Sequence, residues 1–276
     1  MKYTYPYPHP AIACDCVVFG FDGRGLQILL IERGNEPCKG MWAFPGGFMQ
    51  IDETAEACAR RELREETSLD IRVLKQLGAF SGVHRDPRER VVSIAFYALV
   101  QPSAVVGGDD ASDARWYPID EVPQLAFDHD FILRKAMQQL RKDIYFEPIG
   151  FELLDREFTM PELQRLYEAI LGVHFDRRNF EKKMLQSGII ESAEEEKEEE
   201  EDMDLLFKKM TETPAFARSY GTQQEMCSMD INSLFSPVSV SDEPVKRKPG
   251  RKGRKFSFNK DKYDEFKENN SFRFEF

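Results

Sequence analysis

Cysteine is scarce. Cys14, Cys16, Cys38, Cys58 and Cys227 are the only five in 276 residues, an odd number without the paired spacing of a disulfide framework or a zinc cluster. This excludes a disulfide-stapled fold and fits a reducing cytoplasm, the compartment expected here. Long apolar runs are also missing: nowhere do about 18 apolar residues follow one another, so no membrane-spanning helix is expected. The opening MKYTYPYPHP lacks the cationic and apolar regions of a signal peptide, so export is not expected either. We find no internal repeat.

Positive charge is in the minority, with 38 Lys and Arg against 49 Asp and Glu and a formal net charge of -11. Such a balance argues against indiscriminate binding of nucleic acid by the whole chain, although a local basic face can dominate at short range. The length accommodates one full catalytic domain and a smaller appendage. A hydrophobic fraction of 41% suits a globular protein, while 32% charged residues imply that some segment is too polar to pack.

The apolar runs AIACDCVVFG and LQILLIER flank Asp22-Gly23-Arg24-Gly25 and predict a β-hairpin. Between Asp52 and Thr67 the chain turns charged, and Ala55, Ala59 and Leu63 recur every four residues as the buried face of a helix. Leu74 to Phe80, Val91 to Val100 and Ala114 to Tyr117 read as strands, and a helix near Asp130 to Lys142 closes a mixed α/β domain.

Two short helices follow. Thr159-Met160-Pro161-Glu162 is a capping box ahead of Leu163, Leu166, Tyr167 and Ile170, with Gly172 as the stop. The second helix starts at Asp176 and directs Phe180, Met184 and Leu185 to the core, giving a helix-turn-helix outline. After Glu191 comes ESAEEEKEEEEDMD, ten acidic residues and one lysine in fourteen, and disorder is expected to about residue 245. KRKPGRKGRK, Lys246 to Lys255, then places seven basic residues in ten ahead of Phe256-Ser257-Phe258 and a charged, aromatic tail.

The chemistry gathers in GFMQIDETAEACARRELREETSL, which starts at Gly47. On a helix Glu62, Glu65 and Glu66 share one face, with Arg61 one turn before Glu65. Three adjacent carboxylates repel one another unless a hard divalent cation such as Mg²⁺ neutralises them. Ahead of them Pro45-Gly46-Gly47 offers backbone without side chains, able to take a strained turn beside metal and phosphate.

These residues reproduce the Nudix signature, GX5EX7REUXEEXGU with U apolar, and residues 8 to 142 resemble the Nudix hydrolase superfamily. Ser68 stands where the signature has glycine. The resemblance implies an α/β/α sandwich with a mixed sheet, and a Mg²⁺ or Mn²⁺ site. It makes Glu62 and Glu66 principal metal ligands, Glu65 a further ligand or orienter, and Arg61 the residue holding a glutamate in place. Glu53 would support the loop, and the Gly46 carbonyl would complete the coordination sphere. The general base is left open among Asp86, Glu89, Asp109, Asp110 and Asp113.

GVHRDPRERVVSIAFYALV and YPHPAIACDCVVFG are similar to ADP-ribose pyrophosphatases joined to a DNA-binding module. That implies hydrolysis of a nucleotide diphosphate to AMP and ribose phosphate, with Gly46, Gly47, Arg85 and Arg88 at the substrate. Arg85, Arg88 and Arg90 can clamp phosphates or merely line a solvated loop. His84 reads as a loop or packing residue.

Residues 146 to 190 resemble the winged helix of Nudix-related transcriptional regulators. Arg177, Arg178, Asn179, Lys182 and Lys183 on its second helix would then meet the major groove of double-stranded DNA, or else form the solvated face of an interaction module. RKFSFNKDKYDEF is similar to the family's last wing strand, which divides the chain into 1–142, a winged helix from 143–190 with 246–270, and an acidic insertion at 191–245. The insertion either competes with DNA or is a tolerated loop, and KRKPGRKGRK has the composition of a minor-groove hook. Two functions stay in view: a hydrolase coupled to DNA binding, and a regulator that senses a nucleotide or sugar without turnover. A homodimer is expected from the resemblance.

Overall fold

The computed structural model describes residues 6–71, 73–105, 107, 111–193 and 254–268. The hairpin forms where turn residues separate two buried apolar runs: β1 (Ala11–Phe21) pairs antiparallel with β2 (Leu26–Arg33), Phe21 opposite Leu26. Asp22 Oδ1 accepts from the Arg24 and Gly25 N–H groups at 2.8 Å, and Gly23 takes a left-handed φ of +82° that side chains resist. Then come β3 (Trp42–Ala43), β4 (Gly46–Phe48), α1 (Ala55–Thr67), β5 (Lys75–Phe80), β6 (Val91–Leu99), β7 (Ala111–Pro118) and α2 (His129–Asp143). The sheet runs β3-β2-β1-β6-β5, with β4 beside β1 and β7 beside β2. β1 and β6 are parallel, Asp15 opposite Ala95, which makes the sheet mixed.

Alternation along β1 divides the core. Cys14, Cys16 and Val18 pack with Cys58, Ala59 and Leu63 of α1, whereas Val17, Phe19 and Phe21 pack with Ile132, Ala136 and Leu140 of α2. The two helices therefore cover opposite faces in an α/β/α sandwich. Ala55, expected on the buried face of α1, is only partly buried because it opens the helix ahead of the turn that meets the sheet. At the other end Ser68 takes a left-handed φ of +62° and its N–H donates to Arg64 O at 2.9 Å. Serine thus ends the helix as glycine would, at a local cost of about 1 kcal/mol, and no carboxylate is lost.

The second unit comprises β8 (Phe158–Thr159), α3 (Met160–Leu171), α4 (Arg177–Ser187), β9 (Ile190–Ser192), β10 (Lys255–Phe258) and α5 (Lys260–Glu268). Glu162 Oε2 accepts from Thr159 N–H at 2.7 Å, as the capping motif requires, and Asp176 Oδ1 accepts from Asn179 N–H at 2.9 Å to start α4. β10 lies between β8 and β9, antiparallel to both, so the segment after the acidic stretch returns to complete the wing. The acidic stretch from residue 194 and KRKPGRKGRK through residue 253 lie outside the described residues. Tyr167, Phe180 and Phe256 are buried, each contributing about 1.5–3 kcal/mol to this unit's core.

Two readings need correction. Leu185 is 42% exposed: Phe180 and Met184 define the buried stripe of α4, and Leu185 falls one step further around the helix. Residues 260–268, taken as tail, form α5, capped by Asn259 Oδ1 accepting from Lys262 N–H at 2.9 Å. Lys-Asp-Lys-Tyr-Asp-Glu-Phe-Lys-Glu has too thin an apolar stripe to announce that helix.

One apolar core joins the units, with Leu140 and Ile144 packed among Leu163, Leu166 and Ile170. Arg141 Nε donates to Ile170 O at 2.9 Å and Arg165 Nε to Gly23 O at 3.0 Å across the junction. Among the described residues no helix is long and apolar enough to cross a membrane.

Candidate active site

A cleft of about 390 Å³ opens beside β1, β4 and the starts of α1 and α2, lined by Asp15, Glu62, Glu66, Arg85, Asp86 and Arg88 among others. Gly46 lies opposite Asp15 and Gly47 opposite Cys14 on β1. A Cβ on Gly46 would stand 2.2 Å from Cys14 O, and one on Gly47 would stand 2.4 Å from Glu62 Cδ. Neither glycine has a left-handed φ, so the expected strained turn is absent; close approach is what demands them.

Arg61 organises the helix carboxylates. Its Nη2 and Nε donate to Glu53 at 2.7 and 3.0 Å, and its Nη1 donates to Glu62 Oε1 at 2.7 Å and Glu65 Oε2 at 3.0 Å. Hydrogen bonding to Arg61 holds Glu53 down at a pKa of about 2, aided by Gln50 N–H. Glu66 is 6% exposed; its Oε2 accepts from Gly46 N–H at 2.8 Å. Burial pushes its pKa up to about 8, the Gly46 bond opposes this, and the charges of Glu62 and Asp15 add to it. Burial also raises Glu62, against the pull of Arg61. Glu65 is exposed and does not line the cleft.

Among the described residues no three of His, Cys, Asp and Glu already form a metal-holding group. The donor chemistry nonetheless fits a hard divalent cation: Glu66 is a buried oxygen donor with no ion pair among the described residues, and Glu62 shares its one cation, Arg61, with Glu53 and Glu65.

The arginines are less free than the sequence implied. The Arg85 side chain is buried, with Nη2 and Nε 2.8 and 3.1 Å from the Asp128 carboxylate and Nη2 3.4 Å from Asp15. Arg88 grips Asp86 through Nη2 at 2.7 Å and Nε at 3.0 Å, and stands over the rings of Phe48 at 5.2 Å and Phe127 at 5.9 Å. Arg90 donates to Ser81 and Gly82 carbonyls at 3.0 Å. Asp86 is the one named base candidate that lines the cleft. Glu89 and His84 are exposed on the loop, Asp113 pairs with Arg115, and Asp109 and Asp110 lie outside the described residues.

Sequence reasoning missed Asp15, Asp128 and His129. Asp15 did carry a signal, as the one charged residue within a buried apolar strand. His129 had none, because its partner Phe44 is 85 residues away. Phe44 N–H donates to His129 Nδ1 at 3.0 Å, so the neutral ring carries its proton on Nε2, 3.7 Å from Asp15 Oδ1.

Burial lowers the His129 pKa below its ordinary 6.5, against the pull of Asp15. The folded protein then binds fewer protons than the unfolded chain as pH falls below about 6.5, so stability drops, by at most about 1.4 kcal/mol per pH unit from this group. His129→Gln, which keeps an acceptor and cannot protonate, is expected to shrink the stability loss between neutral and mildly acidic urea titrations. An equal loss in both proteins would refute this.

Arg177, Arg178, Asn179, Lys182 and Lys183 are exposed together on α4. A family model described as the NUDIX domain matches residues 9–140, and one described as the NrtR DNA-binding winged helix domain matches residues 150–202. The ADPR responsive transcriptional repressor NtrR of Acinetobacter baylyi is 33% identical over 229 residues, covering 77% of this chain and 91% of that protein. The chain belongs to the NrtR branch of the Nudix family. This Nudix chain is also 42% identical over 136 residues to the ADP-ribose pyrophosphatase of Methanocaldococcus jannaschii, covering 49% of the chain and 76% of that protein. Shewanella oneidensis NrtR, in its crystal structure with a 27mer DNA, superposes with a TM-score of 0.58 at 29% identity, covering 66% of this chain and 85% of that one. The Nudix fold and the C-terminal winged helix read from the sequence are both present.

Proposed function

We propose that this Nudix protein is a divalent-metal-dependent pyrophosphohydrolase for ADP-ribose-like nucleotides, releasing AMP and ribose phosphate, and that cleft occupancy governs DNA binding by its winged helix. The observation that carries this is the pairing of charge within one cleft: carboxylates Glu62 and Glu66 beside Arg33, Arg85 and Arg88. A diphosphate bridged to cations needs both signs. The names of the two relatives, a responsive repressor and a pyrophosphatase, support the two halves of the proposal.

Glu62 and Glu66 would hold Mg²⁺ or Mn²⁺, with the Gly46 carbonyl as a further donor; Glu65, outside the cleft, would act only through Arg61. Such an ion supplies charge for the diphosphate oxygens and acidifies bound water. Arg61 orients Glu62, and Glu53 steadies Arg61. Arg88, fixed by Asp86 and two aromatic rings, faces the anionic ligand, and Asp86 is the best-placed proton acceptor among the named candidates. Arg177, Arg178, Asn179, Lys182 and Lys183 would contact DNA. Two copies pairing in the cytoplasm complete the proposal.

A second reading, ligand sensing without turnover, has one observation in its favour: Arg61 already occupies Glu53, Glu62 and Glu65 as a cation would. Incubation with ADP-ribose, NADH, ADP-glucose and nucleoside triphosphates, with and without Mg²⁺, separates them. AMP formed from ADP-ribose only with metal supports hydrolysis. ADP-ribose bound but intact, in the presence of Mg²⁺ and Mn²⁺, overturns it.

A further inference from the structure

Acidic residues neutralise most arginines of the Nudix unit: Arg60 pairs with Glu56, Arg64 with Asp70, Arg88 with Asp86 and Arg115 with Asp113. Arg24, Arg134, Arg141 and Arg165, like Arg33 and Arg90, form no ion pair with a carboxylate among the described residues. The first four converge on a groove of about 850 Å³ between the β1–β2 turn, α2, α3 and the α3–α4 turn. Arg141 and Arg165 are each tethered through Nε to a backbone carbonyl, at 2.9 and 3.0 Å, which leaves their terminal nitrogens for an anion.

The acidic residues on the groove are Asp120 and Glu168. Glu168 Oε1 is already committed to Gln164 Nε2 at 3.0 Å and Phe175 N–H at 2.9 Å. In a chain of net charge -11, a groove with four guanidiniums against two carboxylates is conspicuous. One rim of the groove is the turn bearing Val173 and His174, both exposed, and α4 begins at Arg177 just beyond it.

We infer that this groove is a second DNA-contacting surface, formed by both units, which seats the phosphate backbone of duplex flanking the bases met by α4. Continuity with the exposed cations of α4 selects duplex over a free polyphosphate. Phosphate contacts carry no sequence information, so the groove adds affinity and orientation rather than specificity. The inference rests on the winged helix binding DNA.

The test uses the full chain and a fluorescent mixed-sequence duplex of about 30 base pairs, titrated over a range of salt. Arg24→Ala with Arg134→Ala is the informative pair, because neither guanidinium tethers the units. Affinity is expected to fall about tenfold and the logarithmic salt slope by about 1.8, from ~0.9 per phosphate contact. The corresponding lysine pair should restore the slope.

Unchanged affinity and slope in the alanine pair overturn the inference. So does loss of inorganic tripolyphosphate binding with duplex binding intact, which would mark a small-anion site. Arg177→Ala with Arg178→Ala separates the failures: if only that pair weakens binding, the groove assignment alone falls. If wild-type protein ignores duplex altogether, DNA binding falls with it.

Discussion

Replacing Glu66 with glutamine is expected to lower AMP release from ADP-ribose by ~10³-fold or more, while leaving the metal-free protein at least as stable as wild type at neutral pH, since glutamine needs no proton to be buried. The two halves follow from one environment. Glu66 is buried, and its pKa of about 8 means that without metal the folded protein carries it largely protonated at neutral pH. Glutamine resembles that neutral form, and its Oε1 can still accept the Gly46 N–H that now bonds Glu66 Oε2 at 2.8 Å. Little packing or hydrogen bonding is lost.

What disappears is the anionic oxygen donor that a divalent ion requires. Mg²⁺ should therefore raise the melting temperature of wild-type protein more than that of the variant, since a ligand of the folded state stabilises by about 2.7 kcal/mol at a hundredfold excess over Kd. Calorimetry with chelator and with Mg²⁺, beside an AMP assay, tests both halves. A variant that keeps wild-type turnover would end the metal-hydrolase proposal. One that unfolds without metal would show that the carboxylate has a structural role that its raised pKa denies.

The helix that borders the cleft also reaches the second unit. α2 begins with His129 at the cleft floor, just after Asp128, which holds Arg85, and near its other end Arg141 bonds Ile170 of α3. A single helix thus touches both the cleft and the helix-turn-helix. A ligand anion that drew Arg85 away from Asp128 would act directly on the start of that helix.

Local signals made much of this legible. The hairpin, the signature helix and both winged-helix helices announce themselves because their turns, caps and apolar periods are contained in a few consecutive residues. Thr159 with Glu162 is one case and Asp22-Gly23 another. What stayed hidden was long-range pairing. Nothing near Asp15 in sequence says that its carboxylate meets Arg85 and lies near His129, and nothing around Arg85 says that Asp128 claims it. The arginines therefore looked freer than they are. Glu65 shows the opposite limit: helical spacing places three glutamates on one face but does not say how far the cleft extends along it.

Gly46→Ala should damage both fold and function, and the cause is the hardness of its neighbour. The new methyl would lie 2.2 Å from Cys14 O and 2.9 Å from Asp15 Cα, backbone atoms of the central strand that cannot rotate away. Relief requires β4 to move off β1, breaking the pairing of Gly46 with Asp15. Overpacking of this kind costs about 1–3 kcal/mol or more. The same shift carries away the N–H that fixes Glu66, and a displacement of ~1 Å in reacting groups can cost about a hundredfold in rate. Gly25→Ala is the matched control, because its Cβ would meet nothing within 4 Å and its backbone is not left-handed. Urea titration and kcat/KM for the two variants decide the matter: if Gly46→Ala is as well tolerated as Gly25→Ala, close approach of β4 to β1 does not set the site's geometry.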